Sequence, residues 1–96
     1  MVRYEVMFII NPEIGEEAVV AVAARFQKLI AEHGEIETFN EWGGKRALRY
    51  PIDDIKEGCY YLTTFRAPPE FPAELERVFR ITDGILRFLI INKDAE

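Results

Sequence analysis

Residues 2–10 read VRYEVMFII, a run of β-branched and aromatic side chains closed by Asn11-Pro12. As a strand this run puts Tyr4, Val6, Phe8 and Ile10 on one face and Arg3, Glu5, Met7 and Ile9 on the other. Both faces carry apolar residues. Residues 85–92, ILRFLIIN, repeat the pattern near the far end, with Arg87 set among aliphatic neighbours. A strand that faces water on one side alternates cleanly between apolar and polar, and neither of these does.

The intervening sequence completes a βαββαβ order. A helix is expected over residues 16–33, where Val19, Val22, Phe26, Leu29 and Ile30 recur at helical spacing. Two glutamates in its first turn and His33 in its last suit the macrodipole, and Gly34 ends it. A second strand begins at Glu35 and runs through a bend at Gly43-Gly44 to Ile52. Residues 53–58 read as a polar turn and 59–67 as a third strand, stopped by Pro68-Pro69. A second helix over about residues 70–81 carries Leu75, Val78 and Phe79 on one side, and Asp83-Gly84 turns into the last strand. Short connections and right-handed crossovers fold this order into one α+β domain, residues 1–96: a four-stranded antiparallel sheet with both helices on one face. The helix-free face then carries Met7, Ile9, Leu62, Leu89 and Ile91, with Arg3, Glu5, Tyr60 and Arg87 among them. An uncovered patch of that kind marks an interface.

Composition narrows the function. The 96 residues are 49% hydrophobic and 30% charged, with formal net charge -5, enough apolar material for a real core. No apolar run approaches the ~18 residues of a membrane span. A single cysteine, Cys59, excludes an internal disulfide and suits a reducing cytoplasm. Charge is segregated: residues 13–37 hold six acids against Arg25 and Lys28, whereas residues 42–52, WGGKRALRYPI, hold Lys45, Arg46 and Arg49 with no acid. Basic residues interleaved with aromatics and glycines suit contact with a phosphate backbone. The competing reading of that stretch is a solvated hairpin, and Trp42 beside a bulge more often anchors packing than binds a ligand.

Catalysis has no candidate. The loop after the first strand, Asn11 to Glu17, adds negative charge and loses a backbone donor at Pro12, so it repels the anions that phosphatases of this topology bind. One Cys and one His are too few for a structural zinc site. His33 reads as a helix-end residue, Cys59 as a packed strand residue without a nearby base, and Asp53-Asp54 as turn chemistry. Direct base stacking on the open face is disfavoured, since Met7, Ile9, Leu89 and Ile91, taken as belonging to the central strands, are aliphatic. Arg87, placed near Arg3, would bind phosphate or carboxylate with it, or pair with Glu5.

Three stretches carry a resemblance: RYEVMFIINP (residues 3–12), G-x-R-x-L-x-YPI (residues 44–52) and ELERVFRITDGILRFLI (residues 74–90). In this order and spacing the chain resembles the bacterial small-subunit ribosomal protein six family over nearly its whole length. The resemblance implies a ferredoxin-like βαββαβ fold, no enzymatic activity, no cofactor or small-molecule substrate, and a place on the platform of the cytoplasmic ribosome's small subunit. It also implies binding to the central domain of 16S rRNA as a heterodimer with the small basic ribosomal protein eighteen. Carried over by position, Arg3, Lys45, Arg46, Tyr50 and Arg87 are the expected RNA contacts. Glu5, Met7, Ile9, Trp42, Tyr60, Leu62, Leu89 and Ile91 form the expected protein interface. The family more often has alanine at the position of Arg49 and a basic or polar residue at that of Ala47; Arg49 joins the RNA candidates as a departure from the pattern. From another functional class, the alternative is a self-associating ferredoxin-like module that binds a small metabolite.

Overall fold

The structure, a computed structural model, describes residues 1–52 and 55–95, with side chains over 1–40 and 57–94. Asp53-Asp54 and the side chains of Trp42, Lys45, Arg46, Arg49 and Tyr50 lie outside the described residues. In chain order the elements are β1 (Val2–Ile10), a 3-10 turn at Pro12–Ile14, α1 (Glu16–His33), β2 (Glu35–Ile52), β3 (Ile55–Ala67), α2 (Phe71–Ile81), β4 (Ile85–Asn92) and a 3-10 turn at Lys93–Ala95. The four strands form one sheet in the order β2-β3-β1-β4, every neighbouring pair antiparallel. This is the expected α+β, ferredoxin-like arrangement.

The helices supply the core with one stripe each. Val19, Ala23, Phe26 and Ile30 of α1 and Phe71, Leu75, Val78 and Phe79 of α2 are buried against Tyr4, Val6, Phe8 and Ile10 of β1 and Tyr61 and Phe65 of β3. Phe8 stands at the centre. Its ring lies 5.5 Å from Phe26, 5.3 Å from Tyr61 and 5.2 Å from Phe79, and Phe26 stacks on Phe79 at 4.2 Å. Aromatic pairs at such separations add about 0.5–1.5 kcal/mol each beyond the area they bury.

The hairpin β2–β3 is longer than its composition suggests. A straight strand of 18 residues would span about 59 Å at ~3.3 Å per residue, yet the molecule's longest dimension is 38 Å. The strand therefore bends, and its register against β3 shifts between Ile36 and Thr38, between Glu41 and Lys45, and between Ala47 and Ile52. At the first shift the buried Thr63 hydroxyl donates to the Thr38 carbonyl at 2.7 Å, satisfying polar groups that the irregular ladder leaves over. The third strand begins at Ile55, four residues before the expected Cys59, and pairs Ala47 with Glu57 and Ile52 with Ile55. Lys56, Glu57 and Gly58 are turn formers by composition; the ladder with β2 overrides that preference.

Two turns depend on glycine for different reasons. Gly84 sits at φ +92°, and its carbonyl accepts from the Asn11 amide just past β1 at 2.7 Å. Gly34 has ordinary extended dihedrals but no room. A Cβ there would fall 2.0 Å from the Arg66 carbonyl oxygen, because the chain passes from α1 into β2 directly against β3. Gly34→Ala is expected to lower stability by about 2–3 kcal/mol, read as a lower midpoint in urea unfolding. Gly15→Ala, at φ +102° with nothing within 4 Å, is expected to cost only the backbone strain of about 1–2 kcal/mol. Equal losses at the two sites would show that the close approach at Gly34 is not limiting.

Candidate interface on the uncovered sheet face

Antiparallel partners share a face, so the register lists the helix-free surface row by row. Arg3 lies beside Arg66, and Arg66 beside Glu35. The next row is Thr38, Thr64, Glu5 and Ile91, then Asn40, Leu62, Met7 and Leu89, then Tyr60, Ile9 and Arg87. Leu89 is 51% exposed, and Met7, Leu62 and Ile91 are half-buried. Ile9 differs. It is only 4% exposed, flanked in register by the long side chains Tyr60 and Arg87, and offers little surface to a partner.

Two placements expected from sequence are corrected here. The central strands are β1 and β3, and β4 is an edge; Leu89 and Ile91 therefore rim the patch, while its centre is Met7, Ile9, Tyr60 and Leu62. Arg87 is not near Arg3. It pairs with Ile9, six residues along β1 from Arg3, so the two arginines stand about 20 Å apart at ~3.3 Å per residue. Nor does Arg87 pair with Glu5, whose register partner is Ile91. Arg3 is held instead by Glu37, with Nε 2.8 Å from the carboxylate. This pair is largely exposed and is worth little on its own.

Register also brings in a residue that strand-by-strand reading missed. Arg66 is exposed and opposite Arg3, a neighbourhood visible only once β3 is aligned on β1. The Lys93–Ala95 turn folds back to the same corner, where the Asp94 carboxylate accepts from the Arg3 amide at 3.0 Å. Of the basic stretch, the backbone register sets Lys45 opposite Cys59 and Arg46 opposite Gly58, beyond the apolar rows. His33 takes the structural role expected of it: Nδ1 lies 2.9 Å from the Leu29 carbonyl, and the ring stacks on Phe71 at 4.8 Å. Among the described residues no group of three or more His, Cys, Asp or Glu is placed to hold a metal, and no helix is long and apolar enough to cross a membrane.

A family model described as ribosomal protein S6 matches residues 3–92. The chain belongs to the ribosomal protein S6 family. Its similarity to S6 proteins extends end to end: the small ribosomal subunit protein bS6 of Clostridium novyi (strain NT) is 50% identical over 95 residues, covering 98% of this chain and 99% of the relative. The bS6 protein of Caldanaerobacter subterraneus subsp. tengcongensis is likewise 50% identical over 95 residues. The crystal structure of 30S ribosomal protein S6 from Thermotoga maritima superposes with a TM-score of 0.90 at 32% identity, covering 98% of this chain and 89% of that one. Proteins of the S6 family are structural components of the small subunit, not enzymes, which sets aside the metabolite-binding module.

Tyr4 reports on the corner where Asp94 docks. It is 4% exposed, and burial, then the charges of Asp94 and Glu70, push its phenol above the ordinary value of 10.0. The folded state therefore holds the proton more tightly than the unfolded chain. Stability from this group is complete below pH 10 and is lost as pH rises through the folded value. Relative to Tyr4→Phe, the parent is expected to lose stability above pH 10, by at most ~1.4 kcal/mol per pH unit, measured as the difference between two urea-unfolding series. Parallel pH profiles would remove Tyr4 as the cause.

Proposed function

We propose that this chain works in the cytoplasm as one half of a heterodimer in the small ribosomal subunit. The uncovered sheet face takes the small basic ribosomal protein eighteen, and the pair binds the central domain of 16S rRNA. The observation that carries this reading is the face itself: in a ribosomal protein of net charge -5, Met7, Leu62 and Ile91 stay only half-buried and Leu89 exposed on one side of the sheet among the described residues. Apolar side chains of this type bury against protein more readily than they stack on bases. A basic partner complements the acidic surface and supplies cationic charge that the chain lacks.

The residues divide accordingly. Glu5, Met7, Trp42, Tyr60, Leu62, Leu89 and Ile91 are assigned to the protein interface, with Ile9, only 4% exposed, supporting them from beneath rather than touching the partner. Arg3, Lys45, Arg46, Arg49, Tyr50 and Arg87 are assigned to RNA, where arginine and lysine position the protein on phosphates. Neutralising several phosphates releases counterions, so the assembled complex is expected to weaken steeply as salt rises.

A gel-shift titration against a central-domain 16S rRNA fragment, with and without the basic partner, tests the assignment. Tight binding is expected only with both proteins. Tight, salt-sensitive binding by this chain alone would return the open face to RNA, and failure in both settings would overturn the reading. Arg46→Glu is expected to weaken assembly at least about tenfold, the ~1.4 kcal/mol cost of losing a phosphate contact to a repulsive charge, with an unchanged unfolding midpoint. Equal loss of both would make Arg46 structural.

A further inference from the structure

At the end of the sheet away from Arg87, Lys45 and Arg46, two arginines stand side by side. Arg3 of β1 and Arg66 of β3 are direct register partners on the helix-free face, and both are exposed. Directly opposed residues of an antiparallel pair have Cβ atoms ~4.5–5.5 Å apart, and like charges at that spacing destabilise a sheet. The chain relieves this conflict only in part. Glu37 reaches from β2 over the intervening β3 and sets its carboxylate 2.8 Å from the Arg3 Nε. Arg66 makes no ion pair among the described residues, even with Glu35 directly opposite it on β2. The backbone beneath the pair is fixed, since the Arg3 amide donates to the Asp94 carboxylate at 3.0 Å.

We infer that Arg66 is a further RNA contact: with Arg3 it forms a two-arginine seat for one backbone phosphate, and Glu37 is the resident counter-ion that the phosphate displaces. The inference rests on the reading of this chain as half of an RNA-binding heterodimer. Guanidinium groups present planar forks of N–H donors that match phosphate oxygens, so a phosphate between the two turns one repulsion into two attractions. A basic partner protein would add to the repulsion, whereas RNA carries a phosphate at every nucleotide. Charge complementarity therefore assigns the pair to RNA. Three bases at this corner, Arg3, Arg66 and Lys93, are matched by three acids, Glu35, Glu37 and Asp94. The corner thus exerts little pull at a distance and acts at contact. There Glu37 opposes it, because carboxylate and phosphate compete for one guanidinium.

A mutant cycle tests this, read by gel shift of the full chain with its basic partner on the central-domain 16S rRNA fragment. Arg66→Gln and Arg3→Gln are each expected to weaken RNA binding about five- to tenfold. The double variant should lose little more than either single, because either loss unseats the same phosphate. Glu37→Gln is expected to tighten binding about two- to fivefold, and that gain should vanish in the Arg3→Gln background. Over a salt series the double arginine variant should lower the slope of log K against log salt by about 0.7–0.9, the counterion release of one phosphate. Association with the basic partner in the absence of RNA should be unchanged, and the urea midpoint of Arg66→Gln unchanged or raised. An Arg66→Gln chain that binds RNA like wild type, arginine losses that multiply, a Glu37→Gln chain that binds more weakly, or an Arg66→Gln chain that loses its protein partner would overturn the inference. If the unaltered proteins bind the fragment and only these variants depart from expectation, the heterodimer reading stands. If the unaltered proteins do not bind it, that reading falls and this site falls with it.

Discussion

Phe8 is where the two layers of this protein are joined. Its ring contacts Phe26 of α1, Phe79 of α2 and Tyr61 of β3, each within 5.5 Å, so both helices find their position on the sheet through one side chain of a central strand. Because β1 lies between β3 and β4, that arrangement uses one face of every strand. Val6, Phe8 and Ile10 have no exposure left, and the alternate residues of the same strand must then point to the side that no helix reaches. Burial on one side of a four-stranded sheet thus produces the exposure on the other, and Met7 lies between Val6 and Phe8 in the same nine residues.

On the proposed assignment, an acidic chain with an apolar face and a basic hairpin separates two jobs that one basic surface would otherwise combine. Phosphate contacts supply affinity without shape, whereas an apolar face supplies shape without long-range attraction. Keeping Lys45 and Arg46 beyond the apolar rows, on the β2–β3 ladder, lets each surface keep its own chemistry. Among the described residues, the half-buried Glu5 and the exposed Arg87 are the charges placed within the apolar rows, and they stand at opposite ends of the patch. An apolar patch attracts many surfaces; fixed charges at its ends restrict how a surface can be oriented on it.

Much of the fold was legible because local pattern and global structure agree. The limits of β1, α1 and β4 follow from composition, period and punctuation: a β-branched and aromatic run stopped by Asn11-Pro12, a stripe ending at Gly34, a run opened by Asp83-Gly84. Where they disagree, tertiary pairing decides. Residues 56–58 are turn formers that lie in a ladder, and α2 begins at Phe71 because Phe71 is itself buried in the core. The face composition was legible too, from parity within each strand. Neighbourhood was not: the distance between Arg3 and Arg87, the edge position of β4 and the pairing of Arg66 with Arg3 depend on strand order and register, which no single run of residues encodes. The family assignment rested on three stretches taken together, and the match over residues 3–92 agrees with it.

Gly34 is the entire connection between α1, which ends at His33, and β2, which begins at Glu35. A one-residue junction pressed against the Arg66 carbonyl contains no slack. Length cannot change at this point without cost: an inserted residue would shift β2 by one place and exchange the faces of its side chains.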